Sequence, residues 1–231
     1  MSPSSPLATP ADPAFVFDLD GTLLDSVYQH VTSWQRAFAE VGVDLAVWRI
    51  HRRIGMSGGL LAHRVTRESG VELSRAQQEK AEELHGRYYL DGLDQVRPLP
   101  GAKELLLALS DAGVPWVIAS SGKPEEVEAH MEKLDLPESP PFVCSADVDH
   151  AKPNPQMFLA AAERIDASVL DCIAVGDAVW DMLAARRARM LGVGLVCGGY
   201  SVDELQRAHA FRVYLDPADL HASLDEIGVM L

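Results

Sequence analysis

From Arg97 onward, short apolar runs alternate with amphipathic segments of helical period, and this alternation constrains the fold more than any other feature of the chain. The runs WVIA (116–119) and CIAV (172–175) contain no polar residue, as expected of strands that are covered on both faces. Strands that alternate with helices in this way pair in parallel, because the helices serve as the crossovers. The sequence therefore predicts an α/β fold, a doubly wound parallel sheet with helices on both sides.

One further strand, AFVF (14–17), precedes a long helical insert. Apolar residues recur at three-to-four spacing from Val27 to Val41, and no strand pattern falls between Asp25 and Arg97. The helical segments predicted in this insert are 27–42, 45–54, 59–68 and 74–90. The domains that we expect are an α/β core (1–25 and 97–231, with 1–13 as a disordered Pro/Ser-rich lead-in) and a helical cap domain (26–96).

The acidic composition excludes some classes of partner. The 231 residues have a formal net charge of −14, whereas nucleic acids and anionic membranes select basic surfaces. No apolar run reaches transmembrane length, and the N-terminus lacks the basic start and apolar stretch of a secretory signal. The three cysteines lie in or beside apolar runs, which favours reduced thiols. We therefore expect a cytoplasmic protein, monomer or homodimer, without a nucleic-acid or membrane partner.

Polar side chains follow several predicted strands at the point where each strand ends. Asp18 and Asp20 lie two residues apart after the first strand, so their carboxylates repel each other. Parallel strands bring their carboxyl ends to one edge, where open α/β sheets bind ligands. The polar residues predicted to meet there are Asp18, Asp20, Ser120, Ser121, Lys152, Asp177 and Asp181. A divalent cation would relieve the repulsion, and a phosphate held by the cation, a serine and the lysine would complete the charge balance.

Each of these residues also has a purely structural interpretation. Asp18 and Asp20 alone fit a loop pair or a calcium-type site. Ser120 fits a helix N-cap, and Lys152 fits a solvated surface lysine. Asp181 fits an exposed first-turn acid that the helix dipole favours. For Asp177, an N-cap role is compatible with metal binding.

Four segments, in chain order, resemble the motifs of the haloacid dehalogenase-like hydrolase superfamily. They are DLDGTLLDS, VIASS, AKPNP and GDAVWD, and the resemblance spans essentially 15–231. The helical insert after the first segment resembles the C1-type cap of that superfamily. The segment RRIGMSGG resembles the cap loop of phosphoglycolate phosphatase and beta-phosphoglucomutase relatives. This resemblance implies a Rossmann-like core with an inserted cap.

The resemblance also implies a role for each matching residue. Asp18 would be the nucleophile that attacks phosphorus, and Asp20 would protonate the leaving oxygen and then deprotonate water. Lys152 would neutralise charge on the nucleophile and the phosphate. Phosphate-binding groups would be Thr22, Ser120, Ser121 and Lys152. The ligands of Mg²⁺ would be Asp18, the backbone carbonyl of Asp20, and Asp177, with Asp181 supporting them through Lys152 or a metal-bound water.

Residues of the insert are expected to contribute to substrate specificity. The candidates are His30, Arg53, Ser57 and Gly58, of which Ser57 and Gly58 would reach the site when the cap closes. His30 also fits the solvent side of the insert, and plain solvation is the favoured interpretation of any single arginine. The eight histidines are scattered along the chain without the spacing of metal ligands, so the sequence predicts no zinc site.

The predicted function is Mg²⁺-dependent hydrolysis of a small phosphate monoester, a sugar phosphate or a phosphoglycolate-like metabolite, through an aspartyl-phosphate. A second Asp in the first motif marks the phosphatases and phosphomutases of the superfamily. A sugar phosphomutase is therefore the alternative, but such relatives carry a basic residue where this chain has Gly58, which favours hydrolysis. A non-catalytic phosphate-binding protein is a third interpretation, and the full set of expected catalytic residues argues against it.

Overall fold

The computed structural model describes residues 13–230, so all but the last residue of the predicted lead-in lies outside the described part of the chain. The strands are β1 (Ala14–Phe17), β2 (Leu24–Asp25), β3 (Arg97–Pro98), β4 (Trp116–Ala119), β5 (Phe142–Val143), β6 (Cys172–Gly176), β7 (Leu191–Leu195) and β8 (Arg212–Tyr214). The helices are α1 (Val27–Glu40), α2 (Val47–His51), α3 (Gly58–Glu68), α4 (Arg75–Asp91), α5 (Ala102–Asp111), α6 (Pro124–Leu134), α7 (Gln156–Arg164), α8 (Val179–Ala188), α9 (Val202–Arg207) and α10 (Pro217–Ala222).

Six strands form one sheet in the order β5–β4–β1–β6–β7–β8, and every neighbouring pair is parallel. The first strand thus lies in the interior of the sheet, and the chain winds outward from it in both directions. This arrangement confirms the predicted doubly wound α/β fold. It also brings the carboxyl ends of β1, β4 and β6 side by side, since β1 pairs with both of the others.

The two faces of the sheet are covered by different helices, and strand β1 shows how the sequence divides them. Successive side chains of a strand point to opposite faces. Phe15 and Phe17 belong to the core that packs against α5, α6 and α10, whereas Ala14 and Val16 belong to the core beneath α7 and α8. All four side chains are buried, which explains why this strand has no polar position.

Helices α1 to α4 pack around a third apolar cluster, which includes Trp34, Phe38, Ile50, Leu61 and Ala81. The chain leaves the core through β2 and returns through β3, and these two short strands pair antiparallel. Two-residue strands are too short to produce an alternating pattern, so the sequence does not reveal them.

Two predicted helices are shorter than expected. The segment 45–54 is helical only over Val47–His51, and turns follow as far as Gly55, which has a φ of 93°. The closing segment PADLHASLDEIG (217–228) is also predicted as a helix from the sequence. It stops being helical at Ser223 and continues as a 3₁₀ turn over Leu224–Ile227. Leu224 and Ile227 are both buried in the core, so tertiary packing ends this helix earlier than its sequence pattern indicates.

The three cysteines are free, as predicted from the sequence. Among the described residues, no helix combines the length and the apolarity that a membrane crossing requires.

Candidate active site

Asp18 follows β1 directly and lies at the centre of a buried ionic cluster. Its carboxylate accepts a short hydrogen bond from the Lys152 ammonium, which also lies 2.9 Å from Asp181 Oδ1 and donates to the Ala119 carbonyl oxygen at 3.0 Å. Lys152 and Asp181 have no exposed side-chain surface. The structural alternatives, a solvated Lys152 and an exposed Asp181, are therefore wrong.

The lysine stays charged in this buried position. Burial alone would lower the pKa of Lys152, but the charges of Asp18 and Asp181 and the hydrogen bonds to them raise that pKa above its ordinary value. The ammonium faces two carboxylates, one of which belongs to the predicted nucleophile Asp18. It is therefore well placed to neutralise an incoming phosphoryl group.

Asp177 joins Asp18 and Asp181 in a group of carboxylates whose oxygens lie within 4.8 Å of one another. Burial and the charge of Asp181 raise the pKa of Asp18 to about 7, although the charge of Lys152 opposes this shift. Burial, Asp181 and Asp18 raise the pKa of Asp177 well above its ordinary value. Three ionised carboxylates beside a single lysine leave two uncompensated negative charges. Hard oxygen ligands of this charge suit a divalent cation such as Mg²⁺.

Helix α8 does not use Asp177 as its N-cap, so that structural role is not observed. Ala178 occupies the N-cap position, and its backbone N–H donates to Asp181 Oδ2 at 3.0 Å. The Thr22 hydroxyl donates to Asp177 Oδ1 at 3.1 Å and orients that carboxylate. Thr22 is thus placed beside the candidate metal ligands.

Two glycines that were not predicted from the sequence as site residues allow this acidic group to form. A Cβ on Gly198 would lie 1.7 Å from Asp177 Oδ2, and one on Gly176 would lie 2.4 Å from Asp181 Cβ. No side chain fits at such separations. The only sequence signal was the position of these glycines in or just after predicted strands, where glycine often marks a close approach.

Ser120 and Ser121 follow β4, beside Asp18. Ser120 is buried, and its Oγ accepts a hydrogen bond from the Gly122 backbone N–H at 3.1 Å. Ser121, Gly122 and Lys123 line the cleft between the sheet edge and the insert. The N-cap position of α6 is occupied by Lys123, so the N-cap interpretation of Ser120 is wrong.

The side chain of Asp20 turns toward the insert rather than toward Lys152. Its Oδ1 accepts from the Ser26 hydroxyl at 2.6 Å and lies 3.1 Å from His30 Nε2 and 3.6 Å from His130 Nδ1. Burial would raise the pKa of Asp20, but the charges of His130 and His30 and the hydrogen bonds from His30 and Ser26 hold it below its usual range. For His30 the signs are reversed: burial would lower its pKa, but the charge of Asp20 and the hydrogen bond to it raise that pKa above its ordinary value.

The cleft beside Asp20 has a volume of about 300 Å³ and lies between the sheet edge and the insert. Of the predicted specificity residues, His30, Ser57 and Gly58 line it. Arg53 does not, because Glu68 holds its guanidinium with both carboxylate oxygens at 2.6 Å. The role predicted for Arg53 therefore has no support in this placement.

Several cleft or near-cleft residues were missed by the sequence analysis. They are Glu82, His85, Tyr89, Glu126 and His130. They belong to two helices that are far apart in sequence, α4 and α6. In the sequence, each of them looked like an ordinary helical residue. No spacing in the chain signalled that His30 and His130 would converge on Asp20, with His85 behind His30.

The fold and the site together define a class. A doubly wound parallel core, with aspartates and a buried lysine at its strand ends and a helical insert after the first strand, is the architecture of a capped hydrolase of the haloacid dehalogenase type. The chain belongs to the haloacid dehalogenase-like hydrolase family, whose family model matches residues 13–189.

Individual relatives are consistent with that membership. Hexitol phosphatase A of Escherichia coli (strain K12) is 29% identical over 75% of this chain and 78% of its own length. A phosphoglycolate phosphatase of Neisseria meningitidis is 29% identical over 93% of this chain and 91% of its own length. The crystal structure of a hydrolase from Pseudomonas syringae superposes with a TM-score of 0.91, is 47% identical, and covers 94% of this chain and 100% of its own.

Proposed function

We propose that this protein is a Mg²⁺-dependent phosphatase that hydrolyses a small phosphate monoester through an aspartyl-phosphate on Asp18. The observation that carries the proposal is the buried contact of Lys152 with Asp18 and Asp181, beside Asp177 and Ser120. Phosphoryl transfer depends mainly on positioning and on neutralising charge, and this arrangement offers both.

The first half-reaction transfers the phosphoryl group to the protein. An oxygen of Asp18 attacks phosphorus, the bond from phosphorus to the leaving oxygen breaks, and Asp20 supplies a proton to that oxygen. Lys152 and the Ser120 hydroxyl stabilise the charge on the transferring group. When bound by Asp18, Asp177 and the backbone carbonyl of Asp20, Mg²⁺ would supply further neutralisation of the phosphoryl oxygens.

The second half-reaction returns Asp18 to its carboxylate form. Asp20 takes a proton from water, the water oxygen attacks phosphorus, and the bond from phosphorus to Asp18 breaks with release of inorganic phosphate. We assign His30 a supporting part in both half-reactions, because its Nε2 lies 3.1 Å from Asp20 Oδ1 and can share a proton with that carboxyl group. Asp20 therefore has both a source and a recipient for the proton.

The insert (26–96) acts as a cap domain over this chemistry in our proposal. Two observations support the assignment: the insert has its own apolar cluster, and it joins the core through the β2–β3 pair. A cap that closes over the cleft excludes bulk water during the first half-reaction and limits the size of the leaving group.

The lining of the cleft favours a hydroxyl-rich leaving group. Glu82 and Glu126 place carboxyl groups in it, with Lys123 as a neighbouring cation, and no arginine lines it within the part of the chain that the structure describes. Carboxyl groups accept hydrogen bonds from sugar or polyol hydroxyls but repel a second carboxylate. We therefore propose a sugar or polyol phosphate as the substrate class, ahead of phosphoglycolate, and the similarity to a hexitol phosphatase supports this choice.

A panel of phosphate monoesters tests the function directly. Sugar phosphates, polyol phosphates, phosphoglycolate and an aryl phosphate are each incubated with the full chain and Mg²⁺, and released phosphate is measured. Release from sugar or polyol phosphates supports the proposal. Isomerisation of a sugar phosphate without phosphate release would favour the mutase, and binding without turnover of any compound would favour a non-catalytic protein.

Binding of Mg²⁺ is expected to stabilise the fold. At about 100 times its Kd, the cation should raise the free energy of unfolding by about 2.7 kcal/mol, because it binds only the folded site. Asp177→Asn should remove most of that gain, whereas Asp111→Asn, an exposed aspartate at the end of α5, should keep it. Thermal unfolding with and without Mg²⁺ measures the gain, and equal gains in both variants would contradict the assignment of Asp177.

Glu82→Gln is expected to change the choice of substrate. Burial raises the pKa of the half-buried Glu82, and a Cβ on Gly59 would lie 3.2 Å from Glu82 Oε1, which places this carboxyl group beside the cap loop. Removing its charge should improve kcat/KM for phosphoglycolate relative to a polyol phosphate by about tenfold, or ~1.4 kcal/mol. Glu79→Gln, which alters an exposed position of the same helix, is the matched control, and an unchanged ratio in Glu82→Gln would count against this role.

A further inference from the structure

Atoms suited to a second kind of metal ion converge on Asp20, outside the acidic group of Asp18, Asp177 and Asp181. His30 comes from α1 of the insert and His130 from α6 of the core. One ligand atom from each of Asp20, His30 and His130 lies within 4.8 Å of the others. Two imidazoles and one carboxylate form a donor set that suits Zn²⁺ and neighbouring transition metals, not Mg²⁺.

The separations match the geometry of such a site. Zinc binds imidazole nitrogen and carboxylate oxygen at about 2.0–2.2 Å, so neighbouring ligands of a tetrahedral ion lie roughly 3.3 Å apart. Asp20 Oδ1 lies 3.1 Å from His30 Nε2 and 3.6 Å from His130 Nδ1. Both of these separations are close to the value expected for neighbouring ligands of one ion.

His130 supplies an independent sign of a missing partner. Its side chain is 1% exposed, and Nδ1 is buried without a hydrogen-bond partner among residues 13–230. Unsatisfied buried polar atoms are rare in native proteins and call for an explanation, such as an ion.

In both imidazoles, the ring nitrogen that would not bind the ion also has a hydrogen-bond partner. His30 Nδ1 lies 3.0 Å from His85 Nε2, and His130 Nε2 lies within hydrogen-bonding distance of the Tyr89 hydroxyl. Metal-binding histidines usually donate their other N–H to such partners, which fixes the tautomer and the ring orientation. The Ser26 hydroxyl orients the carboxylate in the same way.

We propose that Asp20, His30 and His130 form a zinc-type site that is distinct from the Mg²⁺ site. An ion held there would engage Asp20 and link α1 of the insert to α6 of the core, and would therefore inhibit turnover. This consequence for turnover rests on the proposed function, whereas binding of the ion does not.

The binding test uses the full chain with Asp177→Asn, which weakens the acidic site so that a Zn²⁺ titration reports the histidine cluster. We expect one Zn²⁺ per chain at micromolar or lower Kd. Adding His130→Asn should raise the Kd for Zn²⁺ by more than about a hundredfold. A loss of that size exceeds what removal of a group that only orients a ligand produces. His63→Asn, the same change at an exposed histidine, should leave the Kd unchanged. Absence of micromolar binding, or an unchanged Kd after His130→Asn, would overturn the site.

Zinc X-ray absorption of the Asp177→Asn chain identifies the ligands of the ion, and it tests the site even if His130→Asn does not fold. Two imidazole ligands are expected, and a spectrum with oxygen ligands alone would overturn the proposal. In the unmodified chain with saturating Mg²⁺, low Zn²⁺ should suppress phosphate release, and release that persists with the histidine site filled would refute inhibition. A chain inactive with Mg²⁺ alone would refute the proposed function, while the zinc titration would still test the site.

Discussion

Asp18→Asn is expected to lower kcat by at least about four orders of magnitude while leaving the fold intact, because the covalent nucleophile is lost. The amide has nearly the shape of the carboxylate but is a far poorer nucleophile, and it also removes an anionic ligand from the proposed Mg²⁺ site. Burial raises the pKa of Asp18 to about 7 against the effect of Lys152. Phosphate release from the preferred substrate, with circular dichroism as a check of folding, measures the outcome.

The exposed Asp225 provides a matched control for this change. Asp225→Asn alters the same chemical group at an exposed position outside the acidic group and the cleft, and should keep wild-type turnover. Acid quenching of the wild-type chain during turnover should trap a phosphorylated protein that Asp18→Asn does not form. A folded Asp18→Asn variant with a tenth of wild-type activity would show that another residue is the nucleophile.

Asp20→Asn is expected to slow hydrolysis of a sugar or polyol phosphate by about 10³-fold, because the leaving oxygen of an alkyl ester needs a proton. An aryl phosphate leaves without that help, so its transfer to Asp18 should be slowed much less. The variant also loses the base for the second half-reaction, which should make the phosphorylated protein accumulate with the aryl substrate.

The comparison between the two substrates is the control for Asp20, since both are measured on one variant. Rapid-quench measurement of the first half-reaction separates transfer to Asp18 from release by water. Equal losses with alkyl and aryl esters in that first step would rule out Asp20 as the acid. A normal rate of the second step would rule it out as the base.

The sequence was sufficient for the sheet and for much of the site because both depend on local patterns. Uninterrupted apolar runs such as CIAV must be buried on both faces, and amphipathic helices between them dictate parallel pairing. Parallel pairing in turn places Asp18, Ser120 and Asp177 at one edge, so residues far apart in the chain could be grouped before any coordinates were known. The short β2–β3 pair and the early end of α10 escaped prediction because neither leaves a local pattern.

The environment of each side chain was decided by tertiary structure alone. The sequence did not show that Lys152 is completely buried between two carboxylates, or that Gly198 must lack a side chain to accommodate Asp177. The gathering of His30 and His130 around Asp20 has no counterpart in linear spacing, since the two histidines belong to helices of the insert and of the core. Local periodicity reports which face of an element is buried, whereas the contacts between elements depend on how the helices pack across the cleft. The sequence by itself therefore determined the fold and the chemical type of the strand-end residues, and only the packing of α1, α4 and α6 decided what surrounds Asp20.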